Sequence, residues 1–221
     1  MQLEQRARSF AIAAHARVEQ TCHYTGEPYI VHPARVVELL RSVPHTETML
    51  AVAWLQDTVR DTGVEPAMLE RVFGAELAAM VLMISDVSRP EDGNRTRRKA
   101  MDRAHLAQAT APAKTVKLAQ LIDLACTVFM HDRAFTPVFA RERDAWLEVL
   151  EGGDRTLWRQ ARDLAPPRQA ESAEEGSAWR RQCPFARRHP LYRSDAPAAA
   201  EDPRRAAGGR GARDSRAVQP G

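Results

Sequence analysis

Apolar residues recur every three or four positions through the first three quarters of the chain. This spacing predicts helices over 3–20, 33–42 and 46–60, each with one buried face. Within the third, Leu55 and Val59 are expected to face the core. The same pattern, interrupted by glycine and proline, predicts further helices over 66–73, 75–86, 95–109, 112–131, 135–152 and 154–164. No segment alternates like a strand, so the pattern predicts an all-α fold, a bundle of helices.

The segment over 54–62, WLQDTVRDT, carries both apolar and acidic side chains within the helix predicted for 46–60. Thr46 is expected to cap that helix, and Gly63 to end it. Asp57 and Asp61 are four residues apart, which places them one turn apart on a single face. Two stacked carboxylates repel each other unless a cation or a proton lies between them. The spacing suits a metal site or its remains, although such pairs are common on solvated helix faces.

The composition changes at Pro166, which we take as the boundary between a domain over 1–165 and a tail over 166–221. The tail is rich in Pro, Ala, Gly, Ser and Arg, and we predict that it is disordered and dispensable for folding. Trp179 and the segment 185–192 are a candidate docking patch. Arginine mixed with glycine near the end suits weak nucleic-acid contact, but an inert tail is the favoured interpretation.

The net charge of +3 is unevenly distributed along the 221 residues. The tail contains 11 of the 32 basic and 7 of the 29 acidic residues, so it carries +4 and the domain −1. The near-neutral domain gives no general indication of a nucleic-acid partner. Three scattered cysteines do not suggest a disulfide framework, and no apolar run is long enough to span a membrane. We therefore expect a cytoplasmic protein with free thiols and no membrane partner; the sequence leaves the oligomeric state open.

Four motifs in the predicted domain resemble the HD-domain hydrolases of the alarmone ppGpp. They are Val-His-Pro at 31–33, the segment 54–62, Phe-Gly at 73–74 and Val-Lys-Leu-Ala at 116–119. These hydrolases form one half of the RelA/SpoT homologues, and they also occur as small single-domain proteins. The resemblance covers about residues 5–164. It implies an HD-type helical bundle and a metal-dependent guanosine-3′,5′-bis(diphosphate) 3′-pyrophosphohydrolase, without the synthetase half.

The resemblance also implies a divalent metal, often Mn²⁺, held by two histidines and two aspartates. Two of these ligand positions are retained, as His32 and Asp57. At the other two positions Gln56 stands where the family has histidine, and Gln120 stands where it has aspartate. Because a glutamine amide carries no charge, we expect metal binding to be weak or absent.

The positions that the resemblance assigns to catalysis and substrate are also changed. Of the two acids that orient the attacking water, Asp61 remains and Arg60 replaces the other. A guanidinium cannot accept a proton at working pH. The nucleotide-contacting positions that are changed are Cys22, His23 and Leu124, which replace arginine, lysine and asparagine; the loop that contains Tyr24 is intact.

Three hypotheses about function follow. The favoured one is a pseudoenzyme that has lost alarmone hydrolysis and binds a nucleotide, such as a guanosine polyphosphate, or a partner as a regulatory module. The second is an active metal-dependent phosphohydrolase with a rearranged ligand set that recruits Asp123, His23 or His131. The third is nucleic-acid binding through the tail.

Overall fold

The computed structural model describes residues 2–166 and 183–185. Within these ranges the chain forms ten α-helices, a single 3-10 turn at Pro90–Asp92, and no strand. The helices are α1 Leu3–Arg17, α2 Val31–Leu40, α3 Glu47–Leu55, α4 Thr58–Thr62, α5 Pro66–Phe73, α6 Ala75–Ile84, α7 Arg95–Ala107, α8 Ala111–His131, α9 Thr136–Leu150 and α10 Arg155–Asp163. The prediction of an all-α fold is confirmed.

Helices α3 and α8 form the centre of the bundle. Helix α1 packs along α3, α2 packs against both α3 and α8, and α9 and α10 cover α8. Every residue from Met49 to Leu55 is buried, because α3 is apolar on all sides and is enclosed by its neighbours. This packing places the start of α2, the end of α3 and the middle of α8 close together.

The prediction of one continuous helix through Arg60 is wrong. Helix α3 ends at Leu55, residues 56 and 57 form a turn, and the short helix α4 follows. The Thr58 hydroxyl donates a hydrogen bond to the carbonyl of Leu55 at 2.7 Å, which competes with the helical backbone pattern. Asp57 takes φ −110° and ψ 0°, between the helical and extended regions. As a result, Gln56 and Asp57 are both buried at the centre of the bundle.

The predicted ends of this region are confirmed. The Thr46 side chain accepts a hydrogen bond from the Met49 backbone N–H at 3.2 Å. Gly63 ends α4 at φ 72°, a conformation that glycine adopts without steric cost. Helix α6 is less enclosed than its apolar sequence suggests, since only one of its faces is buried.

Within the predicted tail, Pro166 and residues 183–185 are described. Cys183 and Phe185 are buried in the hydrophobic core, where the free thiol of Cys183 contacts the free thiol of Cys126 in α8. The rest of the predicted tail, including Trp179 and 186–192, lies outside the described residues. Among the helices that the structure describes, none combines the length and apolar character needed to cross a membrane.

Candidate functional site

His32 lies in the first turn of α2, where the Asp123 side chain of α8 fixes its orientation. Its Nδ1 donates to Asp123 of α8 at 2.5 Å, and Arg35, one turn further along α2, contacts the same carboxylate at 2.5 and 3.1 Å. Burial opposes ionisation of Asp123, but these two partners hold its pKa below the usual value. A carboxylate behind the imidazole is typical of histidines that bind metal through the other nitrogen.

The other nitrogen of His32 faces Gln56 in the turn between α3 and α4. The Gln56 amide donates to Nε2 at 3.1 Å, and Nε2 is 3.9 Å from the nearest oxygen of Asp57. A metal ligand needs the lone pair that this hydrogen bond occupies. In the present arrangement, His32 therefore accepts an amide hydrogen bond at the position where a metal ion would bind.

Asp57 receives polar contacts from three directions. One carboxylate oxygen accepts from the Tyr29 hydroxyl at 2.7 Å and from the Gln120 amide at 3.4 Å, and the other lies 3.0 Å from Arg60. Burial would raise the pKa of Asp57, but the attraction to Arg60 lowers it. Asp57 is thus ionised, and its charge is already balanced within the protein.

The Arg60 guanidinium lies between carboxylates. It binds Asp61 through Nε at 2.7 Å and Nη2 at 2.9 Å while also contacting Asp57, and its Nη1 is 3.8 Å from Asp86. The Gln20 amide holds Asp61 from the other side at 3.0 Å. The acidic pair noted in the sequence therefore has a cation between its members, and that cation is a side chain.

These residues do not fit the divalent ion that the resemblance implies. The Oε1 atoms of Gln56 and Gln120 are buried and accept no hydrogen bond from the described residues, but they are neutral. The one carboxylate beside them, Asp57, is paired with Arg60. Across residues 2–166 and 183–185, no group of three histidine, cysteine or acidic side chains is arranged to hold a metal.

The residues considered as replacement ligands are placed elsewhere. Asp123 contacts Nδ1 of His32, on the opposite edge of the ring from Gln56. His23 and His131 both pack against the Tyr24 ring, with centroid distances of 4.6 and 6.1 Å. In the described part of the chain, none of the three belongs to a group of three or more histidine, cysteine or acidic side chains that could hold a metal.

Two adjoining hollows open beside His32 and share its side chain, Tyr29 and Leu124. The first, which we call the basic hollow, has a volume of about 200 Å³ and the charged lining residues Arg60, Asp86, Arg95, Lys99, Lys117 and Glu142. The second, the loop hollow, has about 150 Å³ and is lined by the predicted substrate positions Cys22, His23 and Leu124, together with Tyr24, Thr25 and Thr127. The structure thus places all the predicted site residues around one cleft or directly behind it.

Asp86 organises the charges of the basic hollow. It accepts from Lys99 at 2.8 Å and lies 3.8 Å from both Lys117 and Arg60. Burial alone would raise the pKa of Asp86, but its attraction to Lys117 and Lys99 lowers it to about 2. Arg95 holds Glu142 through two hydrogen bonds of 2.6 and 2.8 Å.

Sequence reasoning missed several of these residues, namely Tyr29, Arg35, Asp86, Lys99 and Lys117. Two of them had a local signal. Arg35 follows His32 by three residues, which places both on one helix face. Lys117 belongs to the Val-Lys-Leu-Ala motif already noted. The pairing of Asp86 with Lys99 had no local signal in the sequence, because the two residues lie on either side of a polar loop and share no helical register.

A larger surface groove lies apart from this chemistry. It measures about 440 Å³ between α1 and α5, and its lining includes Phe10, Val64 and Met68. None of the predicted site residues lines it. The smaller cleft beside His32 is therefore the candidate functional site.

Comparisons with known proteins identify the family and several relatives of this chain. Residues 7–126 match the family described as HD domain, and that range contains the four predicted ligand positions. The chain is 33% identical over 118 residues to a probable guanosine-3′,5′-bis(diphosphate) 3′-pyrophosphohydrolase of Synechocystis, covering 53% of this chain and 15% of that protein. It is 30% identical over 123 residues to the probable GTP diphosphokinase RSH3 of Arabidopsis thaliana, covering 53% of this chain and 17% of that one. The match thus spans less than a fifth of these relatives.

A solved structure supports the same architecture. The structure of a metazoan ortholog of SpoT, a protein described as hydrolysing ppGpp, superimposes with a TM-score of 0.64, covering 74% of this chain and 93% of that one, at 20% identity. At that identity the likeness concerns the fold. The family resemblance noted in the sequence is confirmed: the chain belongs to the HD-domain family.

Proposed function

We propose that this chain is a degenerate HD domain that binds a phosphorylated nucleotide and does not carry out metal-dependent hydrolysis. Its relatives include proteins named for ppGpp hydrolysis and synthesis, which supports a guanosine polyphosphate or a related nucleotide as the class of ligand. One observation is the main support for the proposed loss of hydrolysis. The Arg60 guanidinium lies 3.0 Å from Asp57, the one retained acidic ligand position.

Electrostatics support this assignment. A divalent ion bound to Asp57 would lie within about 5 Å of the guanidinium, and the repulsion at an effective dielectric near 20 amounts to several kcal/mol. Arg60 is partly exposed and could relieve this repulsion by turning toward solvent, but it would then lose its contacts with Asp57 and Asp61. The neutral Gln56 and Gln120 amides offer little attraction in return.

The groups that would activate water are also changed. Arg60 has no proton-accepting atom. Asp61 retains a carboxylate, but it accepts hydrogen bonds from Arg60 at 2.7 and 2.9 Å and from Gln20 at 3.0 Å. Because these three hydrogen bonds engage both of its oxygens, the Asp61 carboxylate would have to release a donor before it could accept a proton from water.

One observation favours a second candidate, an active phosphohydrolase with altered ligands. The buried Oε1 atoms of Gln56 and Gln120 have no hydrogen-bond partner in the described structure, and amide oxygens can serve as ligands for hard cations. In that case Arg60 would have to leave Asp57 when the ion binds.

Metal analysis and a hydrolysis assay separate these candidates. We expect the full chain, purified without chelator and dialysed against Mn²⁺, to retain far less than one ion per molecule. We also expect it to cleave ppGpp at the background rate. Stoichiometric Mn²⁺ together with steady turnover would establish the second candidate instead. Binding of ppGpp or GDP in the presence of a chelator tests the retained nucleotide site.

A further inference from the structure

Most of the charged side chains that line the cleft lie at one end. The basic hollow has four basic and two acidic side chains in its lining, whereas the two full charges of the loop hollow, Arg35 and Asp123, pair with each other. We propose that the cleft takes a ligand whose anionic groups lie at one end only, of the class of nucleoside 5′-diphosphates. This inference rests on the proposed nucleotide-binding function and narrows its ligand.

Donor groups remain available in the basic hollow even though its cations are paired. The Asp86 carboxylate is shared among Lys99, Lys117 and Arg60. An ammonium group has three N–H donors and a guanidinium has five. Arg95 uses its Nε and Nη2 for Glu142, which leaves further N–H groups for a ligand. Phosphate oxygens are the acceptors that such a group of donors fits best.

The loop hollow offers mainly uncharged surfaces. Burial raises the pKa of the Cys22 thiol, so it remains a neutral group. Leu124 projects into the opening with 41% of its surface exposed. The Tyr24 ring, with His23 and His131 packed against it, forms an aromatic rim. Apolar and aromatic surfaces of this kind suit a planar base, which binds by stacking.

A second phosphate group at the loop end would lose water without gaining a counter-ion. Arg35, the basic residue in the lining of the loop hollow, is 5% exposed and donates to both oxygens of Asp123, so its charge is offset by that carboxylate and its guanidinium is out of reach of a ligand. An anion buried without a partner is strongly disfavoured. A nucleotide with diphosphates at both the 3′ and the 5′ position should therefore bind more weakly than the same nucleoside with a 5′-diphosphate alone.

Titration calorimetry of the full chain in EDTA tests this directly, with GDP, ppGpp and inorganic pyrophosphate as probes. We expect GDP to bind about tenfold more tightly than either of the others, a difference that calorimetry resolves readily. GDP lacks the 3′-diphosphate of ppGpp, so it places no uncompensated charge at the loop end. Unlike pyrophosphate, GDP also has a nucleoside that fills the loop hollow. Cys22→Arg with His23→Lys should reverse the order of GDP and ppGpp, because it introduces cations at the loop end.

Two variants on α7 complete the experiment. Lys99→Met should weaken the binding of both GDP and pyrophosphate. Arg97 is an exposed basic residue outside the cleft, so Arg97→Met should leave both affinities unchanged. If ppGpp binds more tightly than GDP, or if GDP and pyrophosphate bind equally, the ligand does not have its anionic groups at one end only. The proposed nucleotide-binding function would still stand in either case. If none of the three probes binds, the proposed function itself fails.

Discussion

Arg60 Nη2 lies 3.0 Å from Oδ1 of Asp57, so a side chain balances the buried carboxylate that the family uses for metal. The Asp57 carboxylate in turn raises the pKa of Arg60 further above its ordinary value, and the pair remains charged at any working pH. Asp57 directly precedes α4 and Arg60 lies in its first turn, so the two residues are three apart and meet on one face. The proposed loss of metal ligands and the added cation therefore concern the same carboxylate, and we expect that reversing one without the other would have limited effect.

Restoring the ligands should recover metal binding before it recovers turnover. Gln56→His with Gln120→Asp supplies an imidazole and a carboxylate beside His32 and Asp57, and we expect measurable Mn²⁺ binding by calorimetry. Adding Arg60→Glu should be needed for ppGpp hydrolysis, because it removes the competing cation and returns an acid.

The matched control makes the same exchanges away from the cleft. Gln108→His and Gln5→Asp alter two exposed positions and should leave Mn²⁺ binding at the wild-type level. Turnover in the double variant while Arg60 is still present would show that the guanidinium does not block the site.

Because of Asp86, the free energy of unfolding should depend on pH in the acid range. Its pKa falls from 3.8 to about 2 on folding, so its ionised form favours the native state. The contribution is fully present above pH 3.8 and is lost as pH falls toward 2; it amounts to about 2 kcal/mol. Denaturant unfolding between pH 2 and 5 should show a shallower pH dependence for Asp86→Asn than for the wild type.

Asp144→Asn is a suitable comparison for the acid experiment, since that carboxylate is 64% exposed. The free energy of unfolding of this variant should change with pH as steeply as that of the wild type. Parallel curves for wild type and Asp86→Asn would mean that Lys99 and Lys117 do not stabilise the Asp86 carboxylate as the geometry indicates.

Leu55→Ala should destabilise the fold by roughly 2–5 kcal/mol, because Leu55 is fully buried at the end of α3 and truncation leaves a cavity. Met68→Ala, at a position that is 38% exposed, should cost less than about 1 kcal/mol. Unfolding midpoints at constant m-value measure both. A loss below about 1 kcal/mol for Leu55→Ala would mean that the end of α3 is packed loosely.

Burial of Phe185 changes the expectation for the C-terminal segment. A chain shortened after Ala165 should melt at a lower temperature, because Cys183 and Phe185 no longer cover the core; each kcal/mol lost lowers the midpoint by about 2–4 °C. A chain that ends at Ala186 should retain the full melting temperature. Equal melting temperatures for the two shortened chains would show that the packing of Phe185 contributes nothing.

Much of the fold follows from local pattern, because helical periodicity and end signals act within a few residues. Thr46 and Gly63 illustrate this, since each fulfils its predicted role at a helix end. The break at Gln56 was not predictable in this way. It depends on a threonine hydroxyl that competes for one carbonyl, in a segment whose apolar pattern fits a continuous helix equally well.

The candidate site was predictable in its residue types and only partly in its contacts. The family motifs identify His32, Gln56, Asp57 and Gln120, and the structure brings these four together. The contact of Asp123 with His32 spans 91 residues along the chain, and no periodic pattern encodes such a pairing.

The support behind His32 has a consequence for how reversible the changes are. Asp123 and Arg35 hold the imidazole in one rotamer from the side away from the ligand positions, so its orientation does not depend on a bound ion. The entropy of ordering that ring is already lost on folding. If the proposed loss of metal binding holds, substitutions that introduce ligands at Gln56 and Gln120 would therefore meet an imidazole that is already oriented toward them.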